Sequence, residues 1–132
     1  MIIDSSVVMA ILLREPDAEH FERIIEASFE QRLPRRISAA SILECEIVSR
    51  RRLGDPGSTK LDNLLTLLRA QVAPFDADQL RWARFAASTY GRGQHAARLN
   101  FGDCFSYALA KSTGEPLLFK GGDFAHTDIA TA

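Results

Sequence analysis

A chain of 132 residues, 46% hydrophobic and 25% charged, is long enough to bury one core without staples and too apolar to be disordered. Its net charge of −1, from 16 basic and 17 acidic residues, argues against a protein that holds nucleic acid by bulk positive charge and leaves only local patches for that purpose. Two cysteines, Cys45 and Cys104, with no CxxC spacing, give neither a disulfide framework nor a thiolate zinc site.

Residues 1–3 read as a short buried strand ending at Asp4, with Ser5 or Ser6 capping a helix through residue 13. The apolar run is interrupted by Asp4 and has no basic segment before it. It therefore reads as neither a signal peptide nor a bilayer span, and the expected setting is the cytoplasm, away from membranes. Residues 17–29 place Phe21, Ile24, Ile25 and Phe29 on one side and Glu19, Glu22 and Glu26 on the other, an amphipathic helix with a wet glutamate face. Arg32, Arg35 and Arg36 form a local basic cluster before a second, weakly signalled strand at 36–39.

A helix over 40–53 stops at Gly54. Ser41 and Glu44 have capping-box spacing. Glu46 has Arg50 four residues on as an exposed partner, whereas Glu44 has Ala40, Ile47 and Val48 as helical neighbours and faces the buried side. A carboxylate there is costly unless a cation or donor satisfies it. Arg50, Arg51 and Arg52 fit a solvated helix end, favoured by the dipole.

Asp55-Pro56-Gly57 reads as a turn, 58–71 as a helix carrying Leu61, Leu64, Leu65 and Leu68, and 72–75 as a third strand. Asp76 caps a helix over 77–90 whose Trp82 and Phe85 suit a core or dimer interface. The loop 91–100 is basic and glycine-bearing, as suits the rim of a site. In the following stretch, LNFGDCFSYALAKST, Phe101, Cys104, Phe105, Ala108 and Leu109 share an apolar arc, with Asp103 opposite beside Ser106 and Ala110. Asp103 falls in the first helical turn, where a carboxylate complements the dipole with or without a ligand. A fourth strand at 117–119, the turn Gly121-Gly122-Asp123 and a short last strand around Ile129 complete the chain.

Alternating strands and helices predict a single α/β domain over 1–132, a three-layer α/β/α arrangement around a parallel sheet of four to five strands. Ligands in such sheets bind beyond the carboxyl ends of the strands. Asp4, Glu44, Asp103 and Asp123 can all reach that edge, where four carboxylates repel one another unless divalent cations join them. Oxygen-only ligands favour Mg²⁺ or Mn²⁺ over zinc and suit phosphodiester hydrolysis. Ser6, Asn100 and Thr127 are candidates to hold waters or orient the acids, and Arg92, His95 and Arg98 to hold the phosphates of such a substrate. Used as a covalent nucleophile in a phosphatase, Asp4 would want a second acid two residues on, where Ser6 stands.

The segments MIIDSSVVMAIL, SAASILECEIV, LNFGDCFSYALAK and PLLFKGGDFAHTDI, in this order over nearly the whole chain, resemble PIN-domain ribonucleases, and more narrowly the VapC toxins of bacterial VapBC toxin–antitoxin pairs. The resemblance implies a PIN-like fold and metal-dependent endonucleolytic cleavage of RNA. On it, Asp4, Glu44, Asp103 and Asp123 match the acidic positions, Asp4 and Asp103 being the direct metal ligands. It also implies a homodimer and a VapB-type antitoxin whose tail enters the acidic cleft, often through an arginine. Many relatives carry a hydroxyl residue at the end of the fourth strand, where this chain has Phe119-Lys120. That departure leaves the fourth carboxylate open between Asp123 and Asp128, with Asp123 nearer the strand end. A PIN-like module that binds RNA or protein without cutting is the alternative, and would be expected to have lost acidic positions.

Overall fold

The computed structural model describes residues 1–132. Its four parallel strands are β1 (Ile2–Ile3), β2 (Arg36–Ser38), β3 (Gln71–Ala73) and β4 (Leu117–Leu118), in spatial order β3-β2-β1-β4. Ile2 pairs with both Arg36 and Leu117, and Ile3 with Leu118. Six α-helices surround the sheet: α1 (Ser5–Leu12), α2 (Ala18–Glu30), α3 (Ala39–Leu53), α4 (Pro56–Leu68), α5 (Ala77–Tyr90) and α6 (Asp103–Thr113). None of the helices is long and apolar enough to cross a membrane.

Side chains alternate across a strand, so two adjacent apolar residues feed two different cores. Ile3 and Leu118 pack with Val7, Val8, Phe21, Ile25, Cys45 and Leu61 under α1 to α4. Ile2 and Leu117 pack with Ala86, Leu99, Tyr107, Ala108 and Leu109 under α5 and α6. This division makes the three layers. The chain runs β1, β2, β3 outward in one direction and then returns to place β4 on the free side of β1, which creates a switch point at the carboxyl ends of β1 and β4.

Several local expectations change. Asp4, rather than Ser5 or Ser6, caps α1, accepting from the Ser6 amide at 2.9 Å. Ser38 caps α3, and Ser41 is buried with its hydroxyl 3.4 Å from that of Ser106, so Ser41 and Glu44 form no capping box. Pro56 is already in the first turn of α4, and Gly57 lies so close to α3 that a Cβ would stand 2.6 Å from the Ser49 carbonyl oxygen. That approach draws the expected turn into the helix. Phe101, assigned to the core arc, is 82% exposed, while Ser106 and Ala110 are buried. The reason is that α6 lies between the sheet, α3 and α5 and is enclosed on most sides.

No strand forms at Ile129. The chain end makes a single bridge, Thr131 to Leu117, and just before it Asp128 accepts from Tyr107 and Lys111. The basic cluster at 32–36 is largely structural. Arg35 is buried over the Phe29 ring, donating to the Leu68 and Leu33 carbonyls and to the Ser28 hydroxyl, and Arg36 pairs with Glu115.

Candidate active site

At the carboxyl end of β1 the chain turns straight into a helix, and Asp4 stands at that junction. Its Oδ2 accepts from the Ser6 amide and the Ser6 hydroxyl. The Ser6 oxygen in turn accepts from the Lys120 backbone amide at 3.0 Å, tying the end of β4 to the start of α1. The other oxygen, Oδ1, is buried and has no hydrogen-bond partner. A buried carboxylate oxygen left unpaired is costly, and such an atom is what an incoming cation would satisfy.

Glu44 reaches the same place from the second turn of α3. Its Oε2 accepts from the Ser5 hydroxyl at 2.8 Å. Asp103 arrives at the first residue of α6 and is fixed by a reciprocal cap: the Asn100 amide donates to Asp103 Oδ2 at 2.6 Å, and the Asp103 amide to Asn100 Oδ1 at 3.1 Å. A cleft of about 230 Å³ opens between them, lined by Asp4, Ser5, Ser6, Glu44, Asn100 and Asp103, with Met9 and Val48 behind.

The electrostatics follow from burial and crowding. Burial pushes the Asp103 carboxyl up to about 6; the Asn100 amide opposes this, and the charges of Asp4, Asp123 and Glu44 add to it. Glu44 is raised by burial and by Asp4, against the Ser5 hydroxyl, which lowers it. No group of three His, Cys, Asp or Glu side chains forms a ready-made metal cage. Mg²⁺ needs none, since it is commonly held by one or two carboxylates with several waters. The donor set, all oxygen with one orphaned atom, fits such an ion.

Asp123 lies outside the lining of the cleft, at the head of a 3₁₀ turn (Asp123–His126), exposed but near enough to act on Asp103. Asp128 is engaged elsewhere, accepting from Tyr107 Oη at 2.8 Å and Lys111 Nζ at 2.8 Å. Thr127 donates to the Phe124 carbonyl at 2.7 Å and receives the Ile129 amide at 3.4 Å, so its hydroxyl serves the turn and not the cleft. Arg92, His95 and Arg98 are exposed on the loop that leads into Asn100, where the His95 ring meets Tyr90 edge-on and its Nδ1 accepts from the Ala97 amide.

Three contributors escape sequence reasoning. Ser5 holds Glu44 across 39 residues. Lys120, at the point of departure from the hydroxyl pattern, sends its amide to Ser6 and its ammonium to Glu15 and Asp17 at 2.5 and 2.9 Å. Gly102 lies against the Glu44 carboxylate. Only Lys120 carried a signal, as a departure from the pattern that the resemblance implies. Beyond Glu44 an apolar groove lined by Ala40, Leu43, Ile47, Val48, Phe101 and Phe105 adjoins the cleft. A second hollow, with Phe75, Leu80, Ala83 and Ala87, continues it through Phe101 and Phe105.

Residues 1–130 match the family described as the PIN domain. The chain is 51% identical over 131 residues to Ribonuclease VapC30 of Mycobacterium tuberculosis, covering 99% of this chain and 97% of that one. It is 52% identical over 132 residues to a Ribonuclease VapC of Mycolicibacterium smegmatis, covering 98% of each. Among solved structures it resembles Mycobacterium tuberculosis VapC20, described as a sarcin-ricin-loop-cleaving toxin, with a TM-score of 0.76 and 16% identity over 99% of this chain and 97% of that one. VapBC2 from Rickettsia felis, bound to a DNA fragment from their promoter, gives a TM-score of 0.77 and 13% identity over 99% of this chain and 96% of that one.

Proposed function

The chain belongs to the PIN-domain family and, within it, to the VapC ribonucleases, and from that premise we propose that it cuts RNA endonucleolytically with the help of Mg²⁺ or Mn²⁺. The observation that carries this reading is the buried, unpartnered Oδ1 of Asp4 on the wall of an acidic cleft. Asp4 and Asp103 would hold the ion, Oδ1 of Asp4 being the carboxylate oxygen that its helix cap leaves without a partner. When bound, the cation supplies Lewis acidity, lowering the pKa of a water and offsetting charge on the scissile phosphate.

The rest of the work falls to the chain. Ser6 fixes which Asp4 oxygen is committed to the helix, and the Asn100 cap fixes the Asp103 carboxylate. Glu44 completes the pocket, and Asp123, outside its lining but near enough to act on Asp103, holds waters at its edge. Asp123 is favoured over Asp128 as the fourth acid because Tyr107 and Lys111 already occupy Asp128. Arg92, His95 and Arg98 hold RNA phosphates beside a cleft that would otherwise repel them.

Two protein contacts belong to the same reading. An antitoxin of VapB type silences the site by placing an arginine among the acids, a charge-complementary plug. The apolar face of Leu43, Ile47, Leu80 and Phe101, all well exposed, suits a second copy of the chain. We place this single-domain toxin in the cytoplasm, where its RNA substrate and antitoxin are made.

The test is cleavage of total RNA by the purified protein in Mn²⁺, Mg²⁺ or EDTA, beside Asp4→Asn and Asp103→Asn variants. Discrete fragments from the wild type alone, lost in EDTA, are expected. Equal patterns from wild type and both variants would overturn the catalytic reading and favour a module that binds without cutting.

A further inference from the structure

Gly102 has φ −64° and ψ −43°, ordinary helical values open to any residue. Backbone conformation therefore does not call for glycine here. Space does: a Cβ at this position would stand 2.4 Å from Glu44 Oε1, 2.5 Å from Oε2 and 2.7 Å from Cδ. All three nearest atoms belong to one carboxylate. The Glu44 head group rests on the bare Cα at the start of α6, with the Ser5 hydroxyl fixing it from the side.

From this geometry we propose that Gly102 is a positioning residue for the cleavage site, its missing side chain being the seat that holds Glu44 beside Asp4 and Asp103. The proposal rests on the metal-dependent reading above. A contrast inside the molecule sharpens it. At Gly57 a Cβ would strike the Ser49 backbone, so that glycine serves helix packing. At Gly102 the obstacle is the far end of a flexible side chain, which can swing away while the fold stays intact. Deeper in the seam between α3 and α6 the Ser41 and Ser106 hydroxyls come within 3.4 Å of each other. The three atoms nearest an added methyl at Gly102 all belong to the Glu44 carboxylate, and that head group is the one it displaces.

Gly102→Ala is then expected to fold normally, with an unchanged or slightly raised Tm, because alanine suits a helical φ better than glycine. Its crystal structure should show the Glu44 carboxylate moved off α6 and away from Ser5. Mn²⁺ binding by isothermal titration calorimetry should weaken about 10- to 100-fold, the usual range for losing a group that orients metal ligands. RNA cleavage should fall with it. Glu44→Asp in the Gly102→Ala background, one methylene shorter, should recover part of the Mn²⁺ affinity relative to the product of the single losses.

Wild-type Mn²⁺ affinity and cleavage in Gly102→Ala would overturn the proposal, as would a lowered Tm with Glu44 still in place. A wild-type chain that binds no Mn²⁺ would overturn the metal reading alone. The position of Glu44 in the Gly102→Ala crystal would then decide the positioning role by itself.

Discussion

Asp4 divides its two oxygens between two tasks. Oδ2 accepts from the Ser6 amide and hydroxyl and starts α1, while Oδ1 is buried without a partner. An asparagine in its place can still accept from the Ser6 amide through its carbonyl oxygen, so Asp4→Asn removes charge without removing the cap. Cleavage should fall by more than about 100-fold, while Tm in EDTA holds or rises, since a buried unpaired charge has gone; activity and melting curves on the same sample check both. Asp103 sets a pH dependence. Its folded pKa of about 6 lies above the ordinary 3.8, so unfolding releases a proton between those values. The stabilisation from the protonated carboxyl is complete at low pH and is lost as pH rises through about 6. Melts in EDTA at several pH values should show that loss for the wild type and not for Asp103→Asn. Mn²⁺ binding should strengthen across the same window, because the proton must leave before the ion can enter.

Among the elements, those with one wet face and one dry face were legible, and those enclosed or left bare were not. The boundaries of α2 and α5 fall within a residue or so of the amphipathic pattern, and Asp76 caps α5 as its position suggests. In α6 the pattern misleads, because its small residues Ser106 and Ala110 are buried as deeply as Tyr107 and Leu109, while Phe101, just ahead of the helix, is largely exposed. In α3 the apolar letters Leu43 and Ile47 lie on the outside, at 61% and 54% exposure. Hydrophobic spacing cannot tell a core from a surface meant for another chain. On the proposed pairing of two copies through this face, Ile47→Glu should give a monomer in light scattering after size-exclusion chromatography, where the wild type gives a dimer, with little change in Tm. The seat of Glu44 on Gly102 left no local mark either, since it joins positions 58 residues apart that share no periodicity. The arginine cluster before β2 was misleading in the opposite sense. Arg35 joins the end of α2 to the end of α4 through Ser28 and the Leu68 carbonyl. Arg35→Met should cost about 2–4 kcal/mol in denaturant unfolding, because it leaves two carbonyls and a hydroxyl without their donor.

For the molecule as a whole, the predicted layering and parallel sheet match the structure because strand alternation assigns Ile2 and Ile3, and again Leu117 and Leu118, to opposite cores. The strand order, which decides where the acids meet, is not written in any one segment. A cation that binds the folded chain alone should raise its Tm by mass action, roughly 5–10 °C at a hundredfold excess over Kd. Differential scanning fluorimetry in Mn²⁺ against EDTA, with Asp103→Asn as the control that should not respond, measures this. The position of β4 also bears on timing. It is the last strand made and it pairs with the first, bringing the Leu118 carbonyl to the Asp4 amide at 2.9 Å and the Lys120 amide to Ser6. Nearly the whole chain must leave the ribosome before these contacts can close. A growing polypeptide therefore passes through most of its synthesis without the contacts that tie the start of α1 to the end of β4. The β1–β4 edge of the site is therefore sealed late, by contacts that span more than a hundred residues of chain.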